Sequence, residues 1–176
     1  KQMKKEMDKK RLYIFAGKPG AGKSTIIKNI FPNKTCVDVL PFVEQFRVDG
    51  KVPEEKTETA YRNMYRHLKT AEDRLIILEI GTNHPELNIS EIEKLQNIYT
   101  QTMFLCDASR DICYQRAMER GMRHHTEAWE TRMKRDFPNT FTKLLKQTSI
   151  PWHVVNMEGS LAETIERFKK LMGSKS

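Results

Sequence analysis

Nine consecutive residues, Gly17-Lys18-Pro19-Gly20-Ala21-Gly22-Lys23-Ser24-Thr25, carry the densest chemistry in the chain and satisfy G-x-x-x-x-G-K-[ST] in full. Glycines at these spacings let successive backbone N–H groups turn inward with no Cβ in the way. A helix opening at their end adds its positive N-terminus, so the loop is a cradle for polyphosphate. In such a cradle Lys23 reaches the β- and γ-phosphates of a nucleoside triphosphate and the Ser24 hydroxyl holds Mg²⁺. The flanking residues supply the needed context: Leu-Tyr-Ile-Phe-Ala before the loop reads as a strand, and Ser-Thr-Ile-Ile-Lys after it reads as a helix.

Two acids stand at the ends of later apolar runs. Asp38 closes Thr35-Cys36-Val37-Asp38 and would emerge at the carboxyl edge of a buried strand, where a carboxylate can take the proton of an attacking hydroxyl. The same position also suits an ordinary turn-starting Asp. Glu79, in Ile77-Leu78-Glu79-Ile80-Gly81, could hold Mg²⁺ directly or through water, or serve as the acceptor base, and the division of labour between the two acids stays open. Asn83 and His84 follow in the same edge loop. Further on, Arg116 and Arg120 lie four apart on one helix face, with Arg123 just beyond. Guanidinium groups closing over a transferring phosphoryl group stabilise its spread negative charge without losing a proton.

The elements that must position these groups alternate. Apolar runs at 12–16, 35–39, 75–80, 102–106 and 153–156 predict five short buried strands; the segments 22–30, 56–70, 89–97, 109–121, 126–147 and 160–172 carry a helical period. Ser90 with Glu93 and Ser160 with Glu163 have capping-box spacing. Strands separated by helices imply right-handed crossovers and a parallel sheet covered on both faces. The stretch 41–55, with Asp49-Gly50 and Pro53, is the least regular and reads as a flap. Trp129, Trp152 and the helically spaced methionines read as core packing.

Length sets one domain: 176 residues are too few for a nucleotide-binding module with a separate helical lid domain. The domain spans 11–172, between a basic tail at 1–10 and a short tail at 173–176. No stretch approaches the ~20 apolar residues of a membrane-spanning helix. Three cysteines without CxxC spacing suggest neither disulfides nor zinc, and the expectation is a cytoplasmic protein with reduced thiols. His124-His125 reads as surface rather than as a metal site. The net charge of +8 has two main sources: residues 1–11 hold six Lys/Arg against two Asp/Glu, and residues 110–135 hold seven against four. The motif argues against a GTPase, because the one Asn-Lys pair, Asn33-Lys34, is followed by Thr35-Cys36 and sits early in the chain.

With these residues in place the chain resembles the small P-loop kinases: nucleoside and nucleotide kinases, shikimate and gluconate kinases, zeta toxins, and 5′-hydroxyl polynucleotide kinases. The resemblance runs over about residues 11–172, and the phosphate loop is its most specific part. It implies a three-layer P-loop NTPase fold of five parallel strands in the order 2-3-1-4-5, helices on both faces, and a small arginine-rich lid over about 116–135. Asp38 resembles the aspartate that orients the acceptor hydroxyl in zeta toxins and polynucleotide kinases. An arginine commonly follows it by three residues in those families; here that place is Pro41, and Arg47 is the nearest substitute. Arg116, Arg120 and Arg123 resemble the lid arginines of adenylate-kinase-like enzymes, and Arg132 an arginine supporting that lid. Loop 156–160 resembles the segment that holds adenine through backbone groups. The implied activity is transfer of the γ-phosphoryl group of ATP, with Mg²⁺, to a hydroxyl or phosphate on a small metabolite, nucleoside or nucleotide. Polynucleotide or toxin-type kinase activity is the alternative within the class, so nucleic acid is the less favoured partner. A slow nucleotide-binding signalling module is the alternative outside it.

Overall fold

The computed structural model describes residues 9–121 and 127–173. Five strands, β1 (Lys10–Ala16), β2 (Thr35–Val37), β3 (Leu75–Ile80), β4 (Tyr99–Asp107) and β5 (Trp152–Asn156), form one sheet in the order β2-β3-β1-β4-β5. All four pairings are parallel, as the alternation of strands with helices predicts. β1 lies at the centre, with Ile14 opposite Leu78 on one side and Met103 on the other. Its carboxyl end therefore sits between the ends of β3 and β4, where open α/β sheets place their ligands.

Strand alternation sorts the core into two layers. Leu12, Ile14, Ile76, Leu78, Met103 and Leu105 face one side with the helices α3 (Glu54–Thr70), α4 (Pro85–Lys94) and α7 (Asn139–Leu145). Phe15, Ile77, Phe104 and Cys106 face the other, packed by α1 (Lys23–Ile30), α5 (Arg110–Glu119), α6 (Glu127–Met133) and α8 (Leu161–Leu171). Phe15, Phe104 and Phe168 form an aromatic cluster with centroids 5.1–5.5 Å apart in that second layer.

Several expected boundaries move. The helix expected at 126–147 is two short helices, α6 and α7, parted by a corner at Lys134 to Pro138. Pro138 has no N–H to give to a helical carbonyl, which ends any continuous helix there. The helix expected from 89 begins four residues earlier at Pro85, so Ser90 lies inside α4 and caps nothing; a 3₁₀ turn, Leu95–Asn97, closes it. Ser160 does cap α8, with the reciprocal Ser160 and Glu163 bonds of a full capping box. The flap contains a five-residue helix, α2 (Leu40–Glu44), and a Val48–Lys51 bridge. Among the described residues no helix is long and apolar enough to cross a membrane, and all three cysteines are free thiols.

Candidate active site

The loop Gly17 to Gly22 leaves β1 and turns sharply into α1. Gly20 has φ +83°, and a Cβ there would lie 2.5 Å from the Cys113 carbonyl oxygen; one on Gly17 would lie 2.6 Å from that of Cys106. Only glycine lets the loop lie this close against β4 and α5. Gly22, also left-handed, is the residue preceding α1, and no side chain caps that helix. The first N–H groups of α1 are thus left to a ligand in the cradle.

Lys23 is buried and its Nζ donates to the carbonyls of Gly17 (2.5 Å) and Lys18 (3.1 Å). An ammonium has three protons, so one remains for an anion in the loop. Burial lowers its pKa, opposed by nearby Glu79 and two cysteines and reinforced by Arg120. A phosphate would relieve that desolvation. Ser24 Oγ donates to Glu79 Oε1 at 3.0 Å, bringing the loop hydroxyl and the β3 acid together. Lys18 Nζ reaches across to the Met133 carbonyl at 2.9 Å and ties the loop to the end of α6.

Two cavities flank this loop. The first, about 320 Å³, is lined by Ala21, Gly22, Thr25, Arg116, Arg120 and Met157, with Gly159, Leu161 and Thr164 from the start of α8. Arg116 forms its hinge: its guanidinium donates to the carbonyls of Ala21 (2.8 Å) and Met157 (2.7 Å), joining the phosphate loop to the loop after β5. That second loop is held by Arg167, which donates to the carbonyls of Asn156 and Glu158 at 2.9 and 2.8 Å.

The second cavity, about 460 Å³, opens on the other side of the loop. Lys23, Ser24 and Glu79 form its phosphate end, and Asp38, Tyr61 and Arg132 are among its walls. Asp38 follows β2 directly, and its Oδ1 accepts the Leu40 N–H at 2.8 Å. It thus starts a turn and lines the cavity at once. Arg47 does not take part: it pairs with Glu44 at 2.5 Å and donates to the Gly50 carbonyl. His84 has left-handed φ +46° before α4, with its Nε2 3.3 Å from Thr57 Oγ1 and its ring edge-on to Tyr61. Asn83 lines the second cavity and accepts a hydrogen bond from Arg135, which also donates to Thr82 Oγ1 at 3.2 Å. Arg123 and His124-His125 lie outside the described residues.

Sequence reasoning overlooked Thr57, Tyr61 and Arg135. Tyr61 and Thr57 sit four apart on α3, where helical period marks Tyr61 only as core. Arg135 sits in the corner after α6, hidden by reading 126–147 as one helix.

The sheet order β2-β3-β1-β4-β5 with the phosphate loop after its central strand is the fold of the small P-loop kinases. Comparison with solved structures agrees. The chain superposes on a shikimate kinase from Bacteroides thetaiotaomicron with TM-score 0.59 and 15% identity, covering 92% of this chain and 98% of that one. It matches a gluconokinase from Sinorhizobium meliloti 1021 with TM-score 0.59 and 11% identity over 92% and 95% of the two chains. A deoxyadenosine kinase from M. mycoides with bound dATP gives TM-score 0.56 and 21% identity over 93% and 100%. No protein-family profile and no curated protein sequence matches the chain.

Proposed function

We propose that this chain is a phosphotransferase that moves the γ-phosphoryl group of ATP, with Mg²⁺, to a hydroxyl or phosphate acceptor on a small molecule. One observation carries the reading: two separate cavities meet at the same loop, and the second contains Lys23, Ser24, Glu79 and Asp38. The first suits a nucleoside, with the Arg116 guanidinium in its wall able to lie against a base. The second suits the acceptor.

Ser24 Oγ and Glu79 Oε1 present hard oxygens side by side, and among the described residues no cluster of three His, Cys, Asp or Glu offers a protein cage. That donor set fits Mg²⁺, which keeps several waters and takes one or two protein oxygens besides phosphate. When bound, the ion neutralises charge on the β- and γ-phosphates. Lys23 holds the same oxygens through its remaining proton. Asp38 Oδ1 is engaged by Leu40, leaving Oδ2 to orient the acceptor hydroxyl and take its proton as the hydroxyl oxygen attacks the γ-phosphorus. The bond to the β–γ bridging oxygen breaks and ADP leaves. Arg120, in the wall of the first cavity, and Arg123 are assigned to the phosphoryl oxygens during transfer.

The test is a set of four purified variants assayed for nucleotide binding and for transfer to acceptor pools. Lys23→Ala and Ser24→Ala should each lose on the order of 10²-fold or more in rate with the fold intact. Asp38→Asn should lose transfer far more than nucleotide affinity, while Glu79→Gln should raise the Mg²⁺ requirement. Full activity of either loop variant would refute the assignment.

A further inference from the structure

Resting on the phosphotransferase reading, we propose that Arg167 is a positioning residue for the nucleoside end of the nucleotide: it fixes the loop after β5 so that the backbone groups of Gly159 stand free at the first cavity. That loop supplies Met157 and Gly159 to the cavity wall. Its backbone can be followed group by group, because each residue brings one N–H and one C=O. The carbonyls of Asn156 and Glu158 accept from Arg167 Nη1 at 2.9 and 2.8 Å, and that of Met157 accepts from Arg116 at 2.7 Å. The Ser160 carbonyl takes both the N–H and the hydroxyl of Thr164. On the donor side, the Met157 N–H goes to the Asp107 carbonyl at 2.8 Å, the Glu158 N–H to Asn156 Oδ1 at 2.9 Å and the Ser160 N–H to Glu163 Oε1 at 3.5 Å. Between Asn156 and Ser160, and among the described residues, Gly159 alone keeps both its N–H and its C=O without a protein partner. One donor and one acceptor at a cavity wall suit the edge of a nucleobase, which carries both kinds of group.

The two arginines that hold this loop differ in reach. Arg116 also donates to the Ala21 carbonyl at 2.8 Å, so it holds the phosphate loop as well. Among the described residues, the hydrogen bonds and ion pair of Arg167 are confined to the loop and its own helix: two carbonyls, and Glu163 at 3.7 Å. Arg167 therefore bears on the nucleoside end of the ligand and not on its phosphates. Gly159 has φ +98°, and a Cβ there would lie 3.3 Å from Glu163 Oε2 and 3.5 Å from Arg167 Nη2, so any other residue would be both strained and crowded. A loop ordered before the ligand arrives spares the complex that ordering cost, which is how a residue touching no part of the nucleotide strengthens its binding.

The test is calorimetric titration of the full chain, with Mg²⁺ present, by a pair of probes: the non-hydrolysable ATP analogue adenylyl imidodiphosphate, and inorganic tripolyphosphate, which carries the phosphates without a nucleoside. Arg167→Gln should weaken binding of the analogue about tenfold and that of tripolyphosphate by less than about twofold. Arg167→Lys, whose ammonium still has protons for two carbonyls, should recover most of the loss. Lys169→Gln, the same loss of charge two residues further along α8, should change neither probe. Equal weakening of both probes in Arg167→Gln, weakening of neither, no recovery in Arg167→Lys, or the same loss in Lys169→Gln would each overturn the proposal. So would a wild-type chain that takes tripolyphosphate and binds the analogue no tighter. If the wild-type chain binds neither probe, the phosphotransferase reading itself falls. Should Arg167→Gln not fold, Gly159→Ala takes its place: it should weaken the analogue about tenfold while sparing tripolyphosphate, and unchanged binding of the analogue would overturn the proposal.

Discussion

Cys36 stands one residue before the end of β2, close to Asp38 in sequence, and is a free thiol. Desolvation pushes its pKa from the usual 9.0 to about 11, with Glu79 and Asp38 adding to the rise. A thiolate fraction this depressed predicts alkylation by iodoacetamide at pH 8 about 100-fold slower than in urea, climbing about tenfold per pH unit toward pH 11. Between pH 9 and 11 the unfolded chain loses this proton and the folded chain keeps it, so stability falls as pH rises through that window. Cys106, pushed up to about 12, acts in the same direction. Rapid labelling of Cys36 at neutral pH, read by peptide mass mapping, would contradict the packing of β2 against those acids. At this scale the sequence was informative where a single loop sets the chemistry: Gly17 to Thr25 announce themselves by type and spacing. Asp38 and Glu79 were visible as acids at strand ends, and the structure puts both in one cavity. Their tasks were not visible, because a task depends on neighbours far along the chain, such as Ser24 on Glu79, 55 residues away.

At the scale of elements, the two capping-box spacings had opposite fates, and the difference is measurable. Ser160 Oγ accepts from the Glu163 N–H at 3.1 Å and the Ser160 N–H donates back to the Glu163 carboxylate, so Ser160→Ala should cost about 1 kcal/mol in urea unfolding. Ser90 lies exposed inside α4, and Ser90→Ala should change stability by less than ~0.5 kcal/mol, if anything upward. Equal losses would deny α8 its cap. Since Gly159, Leu161 and Thr164 line the first cavity, the Ser160 variant should also loosen nucleotide binding slightly. Strands were easier to read than helices. All five expected strands are present, though the edge strands β2 and β5 are for the most part exposed or half-buried rather than buried, because each pairs on one side only, whereas α4 starts on Pro85 with no side-chain cap to mark it. The corner between α6 and α7 was the costliest misreading, because it hid Arg135, which bonds Thr82 and Asn83 just after the end of β3.

At the scale of the whole molecule the question is what the net charge of +8 is for. A nucleic-acid track needs arginines and lysines free to meet successive phosphates. Three cations of the basic segment 110–135 are engaged within the fold: Arg110 is paired with Glu130, Arg116 is bound by two carbonyls, and Arg135 is bound by Thr82 and Asn83. Arg120 and Arg132 line the two cavities on either side of the phosphate loop. With three of the segment's cations engaged and two at the cavities, oligonucleotide binding should be weak and its salt dependence shallow. For a 20-nucleotide single strand, the log of the association constant against log salt should give a slope of magnitude below about 2, with little binding left at roughly 150 mM. A true track would give about −0.7 per neutralised phosphate, and each lost arginine would flatten the slope by about that much. Arg120→Ala and Arg132→Gln should therefore leave the slope unchanged while altering transfer. A slope of about −4 or steeper, reduced in those variants and accompanied by competition with small acceptors, would turn the reading to a polynucleotide kinase.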